Sequence, residues 1–353
     1  MAQRIMDDII DLELEKIEKI IAKIDSDPES EEVKEAEKHL WEKIYKKSGQ
    51  GRRTGVGITA EGDMLAAMGL RYGTEEATEF SEQVHKTIAL EAYRSSVNMA
   101  KERGAFAIYD SEREKNNPFI NRLKEADPEL YEEMKKYGRR NIACLTIAPT
   151  GTTSLMTQTT SGIEPVFMPV YKRRRKVNPN DPQTHVDFVD ETGDAFEEYI
   201  VFHHKFVEWM TVNGYDPTKR YTQEEIDKLV EKSPYYKATS NDVDWLMKVK
   251  MQGRIQKWVD HSISVTINLP NDVDEALVNR LYVEAWRSGC KGCTVYRDGS
   301  RSGVLLSTQK DKKDKKEELP PCKPPTVVEV RPKVLEAEGV RFQNIKEKWV
   351  AFV

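Results

Sequence analysis

The sequence predicts an α/β fold that begins with helices and contains a pair of parallel strands. Apolar residues recur at helical intervals through the opening segments, whereas residues 261–269 alternate apolar and polar side chains. A helical pattern over residues 274–288 and a second strand at 292–296 follow this alternating segment. Strand, helix and strand in this order form a β-α-β unit, so we expect the two strands to run parallel.

The opening periodicity breaks at Asp27-Pro28, which predicts two amphipathic helices. Their apolar stripes are typical of packing surfaces, and we expect a preceding segment of protein to cover them. Periodicity and capping residues predict further helices at 59–68, at 75–102, after Asn117-Pro118, after Asp127-Pro128, and at 194–212, 223–232 and 242–259.

A hydroxyl-rich turn connects a predicted buried strand at 141–148 to the start of a short helix. The turn consists of Pro149, Thr150, Gly151, Thr152, Thr153 and Ser154. Free backbone N–H groups at a helix start, together with hydroxyl groups, can bind an anion such as phosphate. Ordinary helix capping is the alternative, because Thr and Ser are favoured caps in any protein.

Charge and hydropathy argue against nucleic-acid and membrane partners. Acidic residues outnumber basic ones by 60 to 55, no stretch of about 20 apolar residues occurs, and residues 1–14 do not resemble a signal peptide because they include acidic residues. The basic run at 172–176 lacks interleaved aromatic residues and precedes the acidic residues of 187–194. We therefore expect a cytoplasmic protein in which this run either pairs with that acidic stretch or steers an anionic nucleotide.

The cysteines do not form a recognisable metal or redox motif. Cys290 and Cys293 precede a strand, whereas a redox pair normally opens a helix, and in extended chain their sulfurs would face opposite sides. Neither Cys144 nor Cys322 adds a second pair of zinc ligands. We expect structural thiols and no metal site. Likewise, Asp260-His261 is interpreted as a hydrogen-bonded structural pair, with an acid-base couple as the alternative.

Several motifs occur together, in order, along most of the chain. They are the Pro-Thr-Gly-Thr-Thr-Ser run (149–154) with Ser-Gly-Ile-Glu-Pro (161–165), and the segments 51–59 with 63–65, 92–96, 259–264 with 268–270, and 292–301. This set resembles the catalytic subunits of ribonucleotide reductases, in particular the adenosylcobalamin-dependent class. The resemblance covers about residues 1–306.

The resemblance implies a fold, an activity and a cofactor. The family fold is a ten-stranded α/β barrel made of two five-stranded halves around a finger loop, and this chain resembles the second half, with a helical N-terminal segment. The implied activity is the reduction of ribonucleotides to deoxyribonucleotides, with substrate phosphate bound at residues 149–154. The implied cofactor is adenosylcobalamin, bound mainly with the other half.

The sequence departs from the family pattern at the radical site. No cysteine lies in an Asn-x-Cys-x-Glu run, and the family's redox pair belongs to the other half, so we expect no catalytic residue in this chain. The implied partners are an N-terminal half carrying that run, a ribonucleotide substrate and a thioredoxin-like reductant. A non-catalytic nucleotide-binding or scaffolding half-barrel is the alternative.

Composition predicts three regions. Residues 1–306 would form the half-barrel, and residues 307–326, charged and proline-rich, would form a linker. Residues 327–353 have a β-like pattern and would be the incomplete start of a small C-terminal domain. A lone Cys322 cannot act as a two-electron shuttle by intramolecular exchange.

Overall fold

The computed structural model describes residues 1–177, 186–189, 195–300, 339–343 and 348–352. The chain separates into two units, Met1–Thr308 and Gln309–Val353. In the second unit, strands β6 (Gly339–Gln343) and β7 (Lys348–Phe352) pair antiparallel. The predicted linker lies outside the described residues, and the predicted domain boundaries remain predictions.

The two predicted opening helices are present. Helices α1 (Ala2–Ile24) and α2 (Glu31–Gly51) pack against each other, and α1 buries Ile10, Ile17 and Ile24 at seven-residue spacing. A second apolar stripe on α1 faces outward, with about half of each side chain exposed: Ile5, Ile9 and Leu12. Coverage of this stripe by another segment of protein remains a prediction.

Four helices then build one wall of the main core, close to the predicted positions: α3 (Glu61–Ala67), α4 (Glu75–Arg103), α6 (Pro118–Ala126) and α7 (Pro128–Tyr137). A short helix that the sequence analysis does not predict, α5 (Ser111–Glu114), precedes α6 and buries no residue. Asn117 and Asp127 cap α6 and α7 by accepting hydrogen bonds from backbone N–H groups of the first turn. Proline fits there because its missing N–H would have no helical partner. The proline-based predictions are therefore confirmed.

The predicted strand at 141–148 is extended but not a regular strand. Leu145 forms a single parallel bridge with Val56, and Ile147 forms another with Ile263. The Asp260 carboxylate, and not a strand carbonyl, accepts the N–H groups of Cys144 and Leu145, at 2.7 and 2.9 Å. The segment is nevertheless central, since it lies between residues 54–56 and 261–264.

The predicted β-α-β unit is confirmed, with a shorter first strand. Strands β4 (Thr266–Leu269) and β5 (Thr294–Arg297) pair in parallel, and helix α12 (Glu275–Arg287) connects them. The predicted alternation is also present, because Ile263, Val265, Ile267 and Leu269 are all buried. Helix α11 (Trp245–Gln256) packs against both α4 and α12.

The prediction of a helix over 194–212 is wrong in its first half. Residues Ala195–Phe202 form strand β3, and only His204–Val212 form a helix, α9. Strand β3 pairs antiparallel with β1 (Val170–Val177) and with β2 (Phe188–Val189). Its aromatic and β-branched residues suit a half-buried sheet, and this pairing overrides the helical spacing.

The basic run therefore lies on β1, opposite acidic residues of β3. Arg175 contacts Glu197 at 2.6 Å. Glu197 lies on β3, outside the acidic stretch at 187–194, so pairing with that stretch remains a prediction. Asp187, within that stretch, accepts the backbone N–H of Glu198 at 2.8 Å. The remaining helix of this region, α10 (Gln223–Lys232), occupies its predicted position.

The parallel segments form an open arrangement in the order 54–56, 143–147, 261–269 and 294–297. Within the described ranges the strands do not close into a barrel. The fold is α/β as predicted. None of the described helices is both long and apolar enough to cross a bilayer.

Candidate functional site

The hydroxyl-rich turn begins where the central extended segment ends. Helix α8 (Gly151–Thr157) starts directly after Thr150, which lies in the left-handed region at φ 51° and ψ 24°. This conformation is unfavourable for a β-branched residue, so its neighbours must stabilise it. The Thr150 hydroxyl accepts the Gly162 N–H at 2.7 Å and lies 3.1 Å from the Thr59 hydroxyl.

The start of α8 carries no side-chain cap. Thr150 occupies the capping position, but its hydroxyl is engaged with Gly162 and Thr59. Ordinary capping, the alternative interpretation of this sequence, is therefore not formed by Thr150. The positive end of the helix and its first N–H groups face an open surface, because Gly151, Thr152 and Thr153 are all exposed.

The six predicted site residues are adjacent but not equivalent. Pro149 is exposed and precedes the open donors. Ser154 is buried: its hydroxyl donates to the Gly151 carbonyl at 2.8 Å and lies 2.8 Å from the Ser161 hydroxyl. Its backbone N–H donates to the Thr150 carbonyl. Both donors of Ser154 are thus used internally, which corrects the prediction that Ser154 donates to phosphate.

Gly151 has open space where a Cβ would lie, and Thr150 is the residue with the positive φ. A side chain at Gly151 would therefore cause no backbone strain. It would instead project into the open space beside the N–H groups of α8. Gly162, by contrast, combines a φ of 46° with a Cβ position 3.2 Å from the Ala148 carbonyl oxygen.

The loop at 158–164 supports the turn on the side of α3. Its backbone is bonded to the residues around the start of α3: the Ala60 N–H donates to the Thr160 carbonyl at 3.0 Å, and the Glu61 N–H to the Gly162 carbonyl at 3.2 Å. The Thr59 hydroxyl also donates to the Thr160 carbonyl at 3.0 Å. The segment before α3 thus fixes the loop that fixes Thr150.

Glu164 attaches the end of this loop to the parallel strands. Its carboxylate accepts the Thr266 N–H at 2.7 Å and the Lys248 ammonium at 2.5 Å. Lys248 also donates to the Thr266 carbonyl at 2.7 Å and is only 1% exposed. Sequence reasoning missed Lys248; the available signal was a lysine on the same face of α11 as Trp245 and Gln252.

An open cleft of about 390 Å³ adjoins the turn. One side of the parallel segments lines it with small polar side chains, namely Thr146, Ser262, Ser264 and Thr294, and Pro149 lies at its end. Apolar residues of the same segments face the helical core. The arrangement offers hydroxyl groups along the cleft and helix N–H donors beside it, which suits a polar ligand with an anionic group.

Cys290 and Cys293 lie in a turn between α12 and β5 and pack against the same apolar cluster. The prediction that their sulfurs face opposite sides is therefore wrong, because the chain between them is not extended. Burial raises the pKa of Cys290 to about 12 and also raises the pKa of Cys293. Burial likewise raises the pKa of Cys144. The described thiols are thus protonated at neutral pH, as structural cysteines are.

Asp260 and His261 are not hydrogen-bonded to each other. Asp260 accepts the Tyr93 hydroxyl at 2.7 Å besides its two backbone donors, whereas the His261 ring nitrogen is 3.9 Å from the carboxylate. The predicted hydrogen-bonded pair is wrong, and the acid-base alternative is not formed either. Burial lowers the pKa of His261, so its ring is neutral at pH 7. Asp260 instead fixes the central segment to helix α4.

An acidic cluster on α1, formed by Asp7, Asp8 and Asp11, has the spacing of a metal site. Arginines already neutralise it, because Arg52 contacts Asp7 and Asp11 while Arg103 contacts Asp8. Burial would raise the pKa of Asp7, but hydrogen bonds and charges from Arg52 and Arg140 hold it below its usual value. The cluster is an ion-pair network that joins α1 to the core.

Comparison with known proteins places this site in a family. The family model described as "Ribonucleotide reductase, barrel domain" matches residues 4–296, which includes the turn, the loop behind it and the β-α-β unit. The chain belongs to the ribonucleotide reductase barrel-domain family. The match extends over most of the first structural unit, and it includes each element that lines the cleft.

Relatives of this family member are longer proteins. A vitamin B12-dependent ribonucleoside-diphosphate reductase of Mycobacterium tuberculosis is 30% identical over 264 residues, covering 73% of this chain and 33% of the relative. A protein of the same name from Thermoplasma acidophilum is 30% identical, covering 82% and 34%. The class Id ribonucleotide reductase alpha subunit of Actinobacillus ureae superposes with a TM-score of 0.49 at 16% identity, covering 76% of this chain and 44% of that one. The chain spans about a third of the length of these two curated relatives.

The burial of the cysteine pair predicts slow alkylation. With its pKa raised to about 12, Cys290 has a thiolate fraction at pH 7.5 roughly 1,000-fold below that of a free cysteine. We expect iodoacetamide to modify Cys290 in the folded chain at least about 100-fold more slowly than in the urea-unfolded chain, as followed by peptide mass spectrometry. Equal rates in the two states would show that folding does not suppress ionisation of this thiol and would contradict the account.

Proposed function

We propose that this chain provides the second half of a ten-stranded ribonucleotide reductase barrel, in an enzyme that reduces ribonucleotides to deoxyribonucleotides in the cytoplasm. One observation carries the proposal: an uncapped, exposed helix start at the end of the central extended segment, inside the region that matches the family. The names of the relatives support a cobalamin-dependent reaction, since they are described as vitamin B12-dependent reductases.

In this proposal the turn binds the phosphate groups of the substrate. The N–H groups at the start of α8 and the hydroxyls of Thr152 and Thr153 are exposed and can donate together to phosphate oxygens. The ribose would then extend into the adjoining cleft, between hydroxyls from neighbouring segments. Fixing the phosphate at one end positions the sugar without any reacting group from this chain.

Adenosylcobalamin would generate the radical when bound. Two clefts among the described residues measure about 390 and 450 Å³. Those volumes lie at the low end of sites for drug-sized ligands, and a corrinoid is several times larger than such a ligand. We propose that the cofactor binds mainly with the partner half.

The proposed partner is an N-terminal half that carries an Asn-x-Cys-x-Glu run and the redox cysteines, reduced in turn by a thioredoxin-like protein. The open face of the parallel segments supports it, because parallel sheets are normally covered on both faces. The outward apolar stripe of α1, formed by Ile5, Ile9 and Leu12, gives a second surface that association would cover.

Co-expression tests the proposal directly. The chain would be produced with and without an N-terminal half carrying the Asn-x-Cys-x-Glu run, and cobalamin-dependent formation of deoxyribonucleotide would be measured. We expect activity only from the pair, and none when the partner's cysteine in that run is replaced. An assembled pair that binds nucleotide without reducing it would support the non-catalytic half-barrel, and activity from this chain alone would contradict the split arrangement.

The phosphate site predicts a graded effect of substitutions in the turn. Hydrogen bonds to a charged group contribute about 1.5 to 3 kcal/mol, so Thr152→Val or Thr153→Val should weaken substrate binding by about 10- to 100-fold. Gly151→Val should weaken it at least as much by obstructing the helix N–H groups. The measurement is isothermal titration calorimetry of a ribonucleoside diphosphate with the assembled pair.

Thr157→Val is the matched control, because Thr157 lies at the far end of α8 and its hydroxyl donates to the Thr153 carbonyl. We expect the affinity of the Thr157→Val variant for the ribonucleoside diphosphate to equal that of the unmodified protein. Unchanged affinity in all three turn variants would reduce the turn to an ordinary helix start and remove the main support for substrate binding here.

A further inference from the structure

We propose that Asp63 is a positioning residue that fixes the phosphate-binding turn by linking it to His203 and Tyr235. The inference rests on the proposed function, because it assigns a role in holding the proposed site. Asp63 lies on α3 and is 5% exposed. Neither Asp63 nor its two partners contacts the turn directly, so Asp63 acts through the loop at 158–164.

The carboxylate of Asp63 uses its two oxygens for different elements. Oδ1 accepts the Tyr235 hydroxyl at 2.9 Å and contacts Nε2 of His203 at 2.8 Å. Oδ2 accepts the Thr160 N–H at 2.8 Å, while the Asp63 N–H donates to the Thr160 hydroxyl at 3.2 Å. Asp63 thus both donates to and accepts from Thr160 of the loop. Its other carboxylate oxygen contacts His203, which follows β3, and Tyr235, which follows α10.

The connection from Asp63 to the turn is continuous. Thr160, fixed by Asp63, also accepts the Thr59 hydroxyl and the Ala60 N–H through its carbonyl. Two residues further, the Gly162 N–H donates to the Thr150 hydroxyl and so supports its left-handed conformation. Loss of the Asp63 bonds would free Thr160, and through it the support of Thr150.

The chemistry of the partners favours a fixed carboxylate. Burial and the neighbouring Asp63 raise the pKa of Tyr235, so its hydroxyl stays protonated and donates. His203 and Tyr235 also contact each other edge to face, at 6.1 Å between ring centroids. Tyr235 belongs to a separate apolar cluster with Phe206, Met210 and Leu229. Asp63 therefore links this second cluster to the turn.

The test compares Asp63→Asn with Asp7→Asn in the full chain. Asparagine keeps the size of Asp63, but its amide has only one acceptor oxygen. The NH₂ group must therefore face either the Thr160 N–H or the side chains of Tyr235 and His203. We expect backbone hydrogen exchange in residues 149–162 to rise by about 10-fold or more in Asp63→Asn. Asp7→Asn removes an equally buried carboxylate from α1 and should leave exchange in 149–162 unchanged.

A second pair of variants separates positioning from general destabilisation. His203→Gln retains an N–H donor and should restore near-normal exchange in 149–162, whereas His203→Ala should raise it. This pair decides the question if Asp63→Asn does not fold. Equal exchange in His203→Ala and His203→Gln, or an Asp63→Asn protein with normal exchange in 149–162, would overturn the proposal.

Titration with pyrophosphate distinguishes failure of the proposed phosphate site from failure of the positioning role of Asp63. Calorimetry with inorganic pyrophosphate should show at least about fivefold weaker binding to Asp63→Asn than to the unmodified chain. If the unmodified chain binds no pyrophosphate while hydrogen exchange responds as expected, the phosphate site fails and the positioning role stands. If the unmodified chain binds and Asp63→Asn binds equally well, the positioning role in binding is refuted.

Discussion

The arrangement depends on how the central extended segment at 141–148 is held. Isolated bridges and several backbone hydrogen bonds join it to its neighbours, and it lies between residues 54–56 and 261–264 and carries the turn at its end. The Asp260 carboxylate adds to these bonds by accepting two N–H groups of this segment together with the Tyr93 hydroxyl. Hydrogen bonds to a buried charged acceptor are stronger than neutral ones, so one carboxylate can hold an irregular segment.

Carboxylates that accept backbone N–H groups also hold the segments around the turn. Asp63 accepts a loop N–H from Thr160, and Glu164 accepts a strand N–H from Thr266, each across about 100 residues of sequence. Each carboxylate is completed by further donors, as a buried charge requires. The turn is therefore held by side chains fixed in the surrounding helices and loops, which leaves its own N–H groups and two hydroxyls open for a ligand.

Local patterns in the sequence predicted much of this structure and missed its long-range bonds. Proline positions and periodicity located the helices, and alternation located the β-α-β unit, because these depend on neighbouring residues. The sequence pattern predicts a helix at 195–202 where the structure has a strand, because the conformation of these residues depends on pairing with residues 170–177. The roles of Asp63 and Lys248 could not be predicted, because their partners are distant in sequence. Burial of Ser154 could not be predicted either, because it depends on the hydrogen bond between the Ser154 and Ser161 hydroxyls.

The central claim is that the open start of α8 binds substrate phosphate. Amide-detected nuclear magnetic resonance of the isotope-labelled chain, titrated with a ribonucleoside diphosphate and separately with the matching nucleoside, tests it most directly. The account predicts that only the diphosphate shifts the amide signals of Gly151, Thr152 and Thr153. Unchanged signals at these three residues under saturating diphosphate, with shifts confined to other parts of the chain, would contradict it.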